Sequence, residues 1–245
     1  MVEDAERRRA MIGGAKVSAA MRSAWEEDGW LLVPRFLELA QIRALSAEAN
    51  RLAGEPQLFA TRGTVPNSAQ RSDRLDPVID LSPAFAALAR DPLLVGLVSE
   101  VLDGAAQLMK DKFIAKPPGA GGYATHQDAA YWPGLGIEYS RFLTAILFLD
   151  DAEVAKGAIE CASGHHRGLL TDPDTVADPD EAALGAFTTI EAQAGDLLLL
   201  HAMTPHRSGP NRAMASRRTL LFTYGVDRRP DLYAIYKKFQ QGLRS

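Results

Sequence analysis

His126 and Asp128 stand two residues apart in Gly-Gly-Tyr-Ala-Thr-His-Gln-Asp, within a chain of 245 residues that holds five histidines. Side chains in extended backbone alternate between faces, so these two leave on one side while Gln127 turns away. An imidazole nitrogen and a carboxylate oxygen placed this way can share one ion. A second imidazole from elsewhere would complete a facial two-histidine, one-carboxylate set, which leaves three coordination positions open and suits non-haem Fe(II). The candidates for that third ligand are His165, His166, His201 and His206. The surroundings of His206 favour it. Ser208 lies two residues on, and Arg217 heads an apolar strand-like run, where a buried guanidinium is tolerated only with an anion beside it. The planar fork of arginine binds a carboxylate through two parallel hydrogen bonds, so Arg217 asks for an acidic small molecule next to the metal. Arg218 faces the other way along a strand and is the alternative clamp.

The elements that would position these residues fall into two textures. From about 15 to 104 the pattern is helical. Val17, Met21, Ala24 and Trp25 share a face ahead of Gly29, and Leu39, Ile42, Leu45, Ala49 and Leu52 share another ahead of Gly54. Between them, Gly-Trp-Leu-Leu-Val-Pro fits a short strand stopped by Pro34. Residues 55–75 lose periodicity and read as a loop. Ser82-Pro83 and Asp91-Pro92 each place a capping side chain before a first-turn proline and predict two further short helices. From about 105 to 226 short apolar runs alternate with turn residues: 107–116, 141–151, 157–162, 195–203 and 217–226. Helices followed by such strands predict one α+β domain over 1–245, with helices packed on an antiparallel sandwich or barrel. On 107–116 the face carrying Lys110, Lys112, Ile114 and Lys116 is expected to point inward, because its chemistry suits anions. Residues 167–187 form a long acidic insertion, read as a solvated loop or a lid.

Composition narrows the partner. A net charge of −4 without a run of five or six like charges offers no footprint for nucleic acid or an anionic membrane. No apolar run approaches the roughly 20 residues needed to cross a bilayer. The single cysteine, Cys161, excludes an intramolecular disulfide, and no apolar signal core opens the sequence; both fit the cytoplasm. A small-molecule ligand and a monomer or homodimer are expected.

His-Gln-Asp at 126–128, Pro-His-Arg-Ser-Gly-Pro-Asn at 205–211 and Arg-Arg at 217–218 together resemble the phytanoyl-CoA dioxygenase family of Fe(II)/2-oxoglutarate oxygenases. The likeness runs from about Ala24 to Tyr224. It includes the opening helix and strand, the middle helices, and the run Lys-Asp-Lys-Phe-Ile-Ala-Lys leading into the metal loop. It implies a double-stranded β-helix, or jelly roll, with the N-terminal helices on one sheet. It further implies His126, Asp128 and His206 as iron ligands, and Arg217, eleven residues past His206, as the clamp for the far carboxylate of 2-oxoglutarate. Ser208 would assist Arg217. Lys112 and Lys116 are candidates for the oxo-acid end, and Trp132, Tyr131 and His165 for substrate contact; His201 fits neither offset and is expected to be a satisfied barrel histidine. One departure stands out: Glu160-Cys161-Ala162-Ser163-Gly164-His165-His166 replaces the family's usual Glu-x-x-Pro-Gly-Ser-His.

Such an enzyme uses dioxygen and 2-oxoglutarate to attack a substrate C–H bond, releasing succinate and CO2. Hydroxylation, desaturation or ring closure could follow. Asp128 fills the position that halogenating relatives leave free for chloride. The sequence leans toward a polar bacterial natural-product intermediate, a sugar or aminoglycoside-like compound. The alternative is a metal-binding jelly-roll module for sugar binding, sensing or isomerisation, which would have no use for a carboxylate clamp.

Overall fold

The computed structural model describes residues 17–62, 73–170 and 180–244. Helix α1 (Ala19–Asp28) starts where the Ser18 hydroxyl accepts from the Met21 amide. It ends at Gly29, whose φ of +77° is a left-handed cap that a side chain would also block sterically, since an added Cβ would run into the ring of His166. β1 (Trp30–Val33) and α2 (Leu39–Ala53) follow as the spacing predicts. The segment after Gly54 differs from the predicted loop: α3 (Pro56–Arg62) and the two-residue β2 (Arg74–Leu75) lie within it. Burial of Phe59 and Leu75 explains both, a tertiary effect that has no periodic signature. α4 (Pro83–Leu88) and α5 (Pro92–Val101) are capped by Ser82 and Asp91, as expected from the Ser-Pro and Asp-Pro steps.

The strands are β3 (Gln107–Ile114), β4 (Tyr123–His126), β5 (Phe142–Phe148), β6 (Ile159–Cys161), then β7 (Thr188–Ile190), β8 (Leu197–His201), β9 (His206–Ser208) and β10 (Thr219–Gly225). The short α6 (Glu181–Leu184) precedes β7, and α7 (Leu232–Arg244) closes the described chain. Two antiparallel sheets form, one in the order β1-β8-β5-β10-β3-β2 and the other β4-β9-β6-β7. This is the predicted jelly-roll sandwich. Beyond the predicted elements, α7 packs on β3 and adds helical support after the strands as well as before them.

The continuous apolar runs of the larger sheet follow from its position between two cores. Leu197, Leu199, Leu147, Leu220 and Phe222 face the helices, whereas Leu198, Leu200, Ile146, Phe148 and Leu221 face the smaller sheet. A third cluster, at the barrel end beneath α7, holds Met109, Trp132, Phe142, Ala202, Leu232 and Tyr236. Among the described residues no helix is long and apolar enough to cross a membrane. The insertion at 167–187 lies partly outside the described residues, at 171–179. Where it is described again, Glu181 bonds to Thr125 and to Arg207, at 2.6 Å from the latter, so its end docks on the smaller sheet.

Candidate metal and co-substrate site

The smaller sheet delivers two imidazoles as a cross-strand pair. β4 and β9 run antiparallel with His126 directly opposite His206, and the ring centroids are 4.2 Å apart. Backbone remains extended through Gln127 before a short 3-10 helix opens at Asp128, which keeps Asp128 on the same side as His126. Gln127 turns away, as expected. Its amide donates to the Gly168 and Met203 carbonyls and accepts from the Leu170 amide, tying the metal loop to two neighbouring segments.

One ligand atom from each of His126, Asp128 and His206 lies within 4.8 Å of the others, close enough to share an ion. The tautomers are set by the backbone. Nδ1 of His126 sits 2.8 Å from the Ala124 carbonyl, and Nδ1 of His206 sits 3.0 Å from the Thr204 carbonyl. A carbonyl only accepts, so each Nδ1 carries the hydrogen and each Nε2 keeps its lone pair for a metal. Burial, reinforced by the neighbouring His206, pushes the pKa of His126 down to about 3, and burial also lowers that of His206. Both rings are therefore neutral ligands at neutral pH. Burial alone would raise the Asp128 carboxyl, but Lys112, His206 and His126 beside it hold it well below the usual carboxylate range. Its other oxygen accepts a 2.8 Å hydrogen bond from Thr144, whose hydroxyl lies 3.0 Å from that of Thr223. Thr144 and Thr223 are register partners on β5 and β10. Their signal in the sequence is a threonine inside each apolar run, Thr144 in Phe-Leu-Thr-Ala-Ile-Leu-Phe and Thr223 in Leu-Leu-Phe-Thr-Tyr, since a buried hydroxyl requires a partner.

Arg217 and Arg218 face opposite ways, and the structure separates them. Arg218 is fully engaged, with two bonds from its side chain to Asp150 and further bonds to Asn50 and the Ser46 carbonyl. Arg217 is 2% exposed, yet among the described residues its Nε and Nη1 have no hydrogen-bond partner. Burial brings its pKa down to about 10, and Tyr123 and Asp73 nearby only partly offset that. A buried guanidinium with two unanswered N–H groups fits a carboxylate that arrives with a ligand.

The inward face of β3 is as expected for Ile114, which joins the core between the sheets, and for Lys112, whose Nζ is 3.9 Å from Asp128. Burial lowers the pKa of Lys112 to about 8. Lys116 requires a correction. Its three N–H positions go to the Ser208 hydroxyl at 2.8 Å, the Gly209 carbonyl at 2.5 Å and the Gly157 carbonyl at 3.3 Å. An ammonium with three donors has none left for a co-substrate, so Lys116 ties the loop after β9 to the barrel and orients Ser208, whose own hydroxyl hydrogen remains available.

The expected substrate residues part company. Tyr131 is 41% exposed, with its ring 5.7 Å from that of His126, at the mouth of the triad. Trp132 is 1% exposed and packs on Phe142 beneath α7, with its ring in the third core cluster. His165 is half-buried in the turn after β6. His166 lies against His201 at 5.2 Å, and His201 is satisfied by the Ser140 carbonyl and the Met203 amide, as expected for a barrel histidine.

Comparison with known proteins agrees with this geometry. The sequence profile of the phytanoyl-CoA dioxygenase family matches residues 25–219. A 2-aminoethylphosphonate dioxygenase of an uncultured bacterium is 30% identical over 62% of this chain and 58% of its own length. Methylphosphonate hydroxylase of Gimesia maris is 27% identical over 86% of this chain and 83% of its own. Among solved structures, the epimerase SnoN in complex with Fe3+, alpha ketoglutarate and nogalamycin RO superposes with a TM-score of 0.71 at 23% identity, covering 84% of this chain and 82% of SnoN.

Proposed function

Because the chain belongs to the phytanoyl-CoA dioxygenase family, we propose that it is an Fe(II)- and 2-oxoglutarate-dependent oxygenase of a small polar molecule, with the whole chain acting as one oxygenase domain. His126, Asp128 and His206 hold the iron, and Arg217, helped by Ser208, takes the distal carboxylate of 2-oxoglutarate. Lys112 stands where it can meet the co-substrate near the metal. When bound, iron, 2-oxoglutarate and dioxygen supply the oxidising power, with succinate and CO2 as by-products; the chain supplies placement.

That placement can be followed residue by residue. The Ala124 and Thr204 carbonyls aim the two imidazoles, and Thr144 fixes the carboxylate that completes the facial set. Arg217 sits in a buried position, where an ion pair is far stronger than in water and its geometry more exacting. Tyr131 stands beside His126 at the entrance and is positioned to meet substrate. His165 remains a candidate for the same role. Hydroxylation is the favoured outcome, with ring closure as a second route for a suitably held substrate.

The observation that carries this reading is the pairing of a buried two-histidine, one-carboxylate triad with a buried, unanswered Arg217. A sugar-binding or sensing module has no use for the second half of that pair. The likeness to the two phosphonate enzymes supports a polar substrate. The acidic insertion, which would suit a cationic ligand, lies partly outside the described residues, and Lys112 beside Asp128 is cationic. The single cysteine favours a reducing cytoplasm, and a monomer or homodimer suffices for the site. Adding Fe(II) and 2-oxoglutarate without oxygen should give a weak visible charge-transfer band in the native protein and none in His206→Ala. Failure of the native protein to produce the band overturns the reading.

A further inference from the structure

Beyond the triad, the inward edge of the larger sheet carries more positive charge than iron and 2-oxoglutarate can use. Arg74 on β2 and Lys110 on β3 both reach Asp76, at 2.5 and 3.5 Å. All three are buried, at 9%, 7% and 2% exposure. Among the described residues two cations thus share one carboxylate away from water, an arrangement that can take a further anion. Among the described residues Arg74 also keeps its Nε without a hydrogen-bond partner. Tyr236 of α7 closes this corner with its ring 5.3 Å from Lys110 Nζ, and Gln240 bonds to the Tyr236 hydroxyl at 3.3 Å.

The corner adjoins the metal. Lys110 and Lys112 point from the same face of β3, about 7 Å apart at the usual rise of two strand residues. Lys112 in turn lies 3.9 Å from Asp128. Lys112 has its carboxylate at the metal centre and Arg217 awaits the co-substrate, so Arg74 and Lys110 are the cations left for a further anion. Burial disfavours charge on both, yet Asp76 and the neighbouring tyrosines outweigh it and keep both protonated at neutral pH.

We propose that Arg74 and Lys110, with Asp76 aligning them, form an anion subsite that holds the acidic group of the substrate, a phosphonate or carboxylate, one short molecule's length from the iron. This rests on the oxygenase reading for its purpose and on the Arg74-Asp76-Lys110 geometry for its existence. An oxyanion there would accept from Arg74 Nε and from Lys110 Nζ. A substrate anchored by its acidic end would present a carbon one or two bonds away to the metal, so small acids are selected over neutral or cationic analogues.

Because the subsite needs no metal, it can be tested in metal-free protein. Methylphosphonate is titrated and followed by 31P NMR, with acetate as competitor. A saturable shift is expected, weakened at least tenfold in Lys110→Met and kept within about threefold in Lys110→Arg. Competition by acetate supports the subsite equally, and the tighter of the two acids identifies the substrate's group. Absence of saturable binding, equal binding by Lys110→Met, or displacement of methylphosphonate by 2-oxoglutarate at concentrations that saturate the charge-transfer band would each overturn the proposal. The displacement experiment uses only native protein, so it decides the matter even should Lys110→Met fail to fold. The two readings fail separately: a charge-transfer band without methylphosphonate binding removes the subsite alone, and binding without a band removes the oxygenase.

Discussion

Arg217→Met should move the protein in opposite directions with and without its co-substrate. In the ligand-free protein Arg217 is a buried cation whose Nε and Nη1 are unanswered among the described residues, and burial depresses its pKa to about 10. At about 1.4 kcal/mol per unit, the charged form costs the fold roughly 3 kcal/mol at neutral pH. The sign is clear: protonation is weaker in the folded state, so the penalty is present at every pH below about 10 and fades only above it. Methionine removes the charge while filling a comparable space, so the ligand-free variant should be more stable than the native protein by up to about 3 kcal/mol. For a chain of this size that is a rise in Tm of several degrees, at about 2–4 °C per kcal/mol. The loaded protein should behave in the opposite way. Removing one partner of a buried charge pair costs about 2–5 kcal/mol, equivalent to a loss of 2-oxoglutarate affinity of roughly 30-fold to several thousand-fold. Thermal unfolding with and without Fe(II) and 2-oxoglutarate, together with titration of the charge-transfer band, measures both. A variant less stable without ligand and unchanged in 2-oxoglutarate affinity would refute the assignment of Arg217 as the carboxylate clamp.

Three further expectations follow from neighbouring residues. Arg218→Ala should lower stability by about 1–3 kcal/mol through loss of its bonds to Asp150, yet leave 2-oxoglutarate affinity unchanged, as denaturant unfolding and the same titration would show. Thr144→Val keeps the shape of the strand but frees Asp128 to rotate; Fe(II) affinity should fall about 10–100-fold, measured by competition with a chelator, with little change in the far-ultraviolet spectrum. His201 is buried and its pKa is held down to about 4, first by burial, so the unfolded chain binds the extra proton between pH 6.5 and 4 and stability is lost as pH falls through that window. Its share is about 2 kcal/mol between pH 7.5 and 5, and His201→Gln should flatten the unfolding free energy against pH by that amount; an unchanged slope would show that His201 is not buried neutral.

Much was legible in the sequence by itself. Capping chemistry places α4 and α5 to within a residue or two, because Ser82 and Asp91 satisfy helix amides locally and need nothing from the rest of the fold, and apolar periodicity ahead of Gly29 places α1. The spacing His126-x-Asp128 carried the metal pair for a related reason: alternation in extended backbone is a local rule. The offset from His206 to Arg217, and its distinction from Arg218, came from resemblance and strand alternation, and the buried, unanswered guanidinium gives that choice its physical content. Only tertiary structure could decide the rest. Trp132, adjacent in sequence to the metal loop, is drawn into a core completed by α7 a hundred residues later. Lys116 looks in sequence like its neighbours Lys110 and Lys112, yet its donors are consumed by carbonyls from two distant loops. Arg74 and Asp76 sit in a stretch with no periodicity and acquire meaning when β2 pairs with β3 and sets them beside Lys110. Side-chain direction follows from the backbone of a few residues, whereas which charges remain unanswered depends on every segment that packs around them.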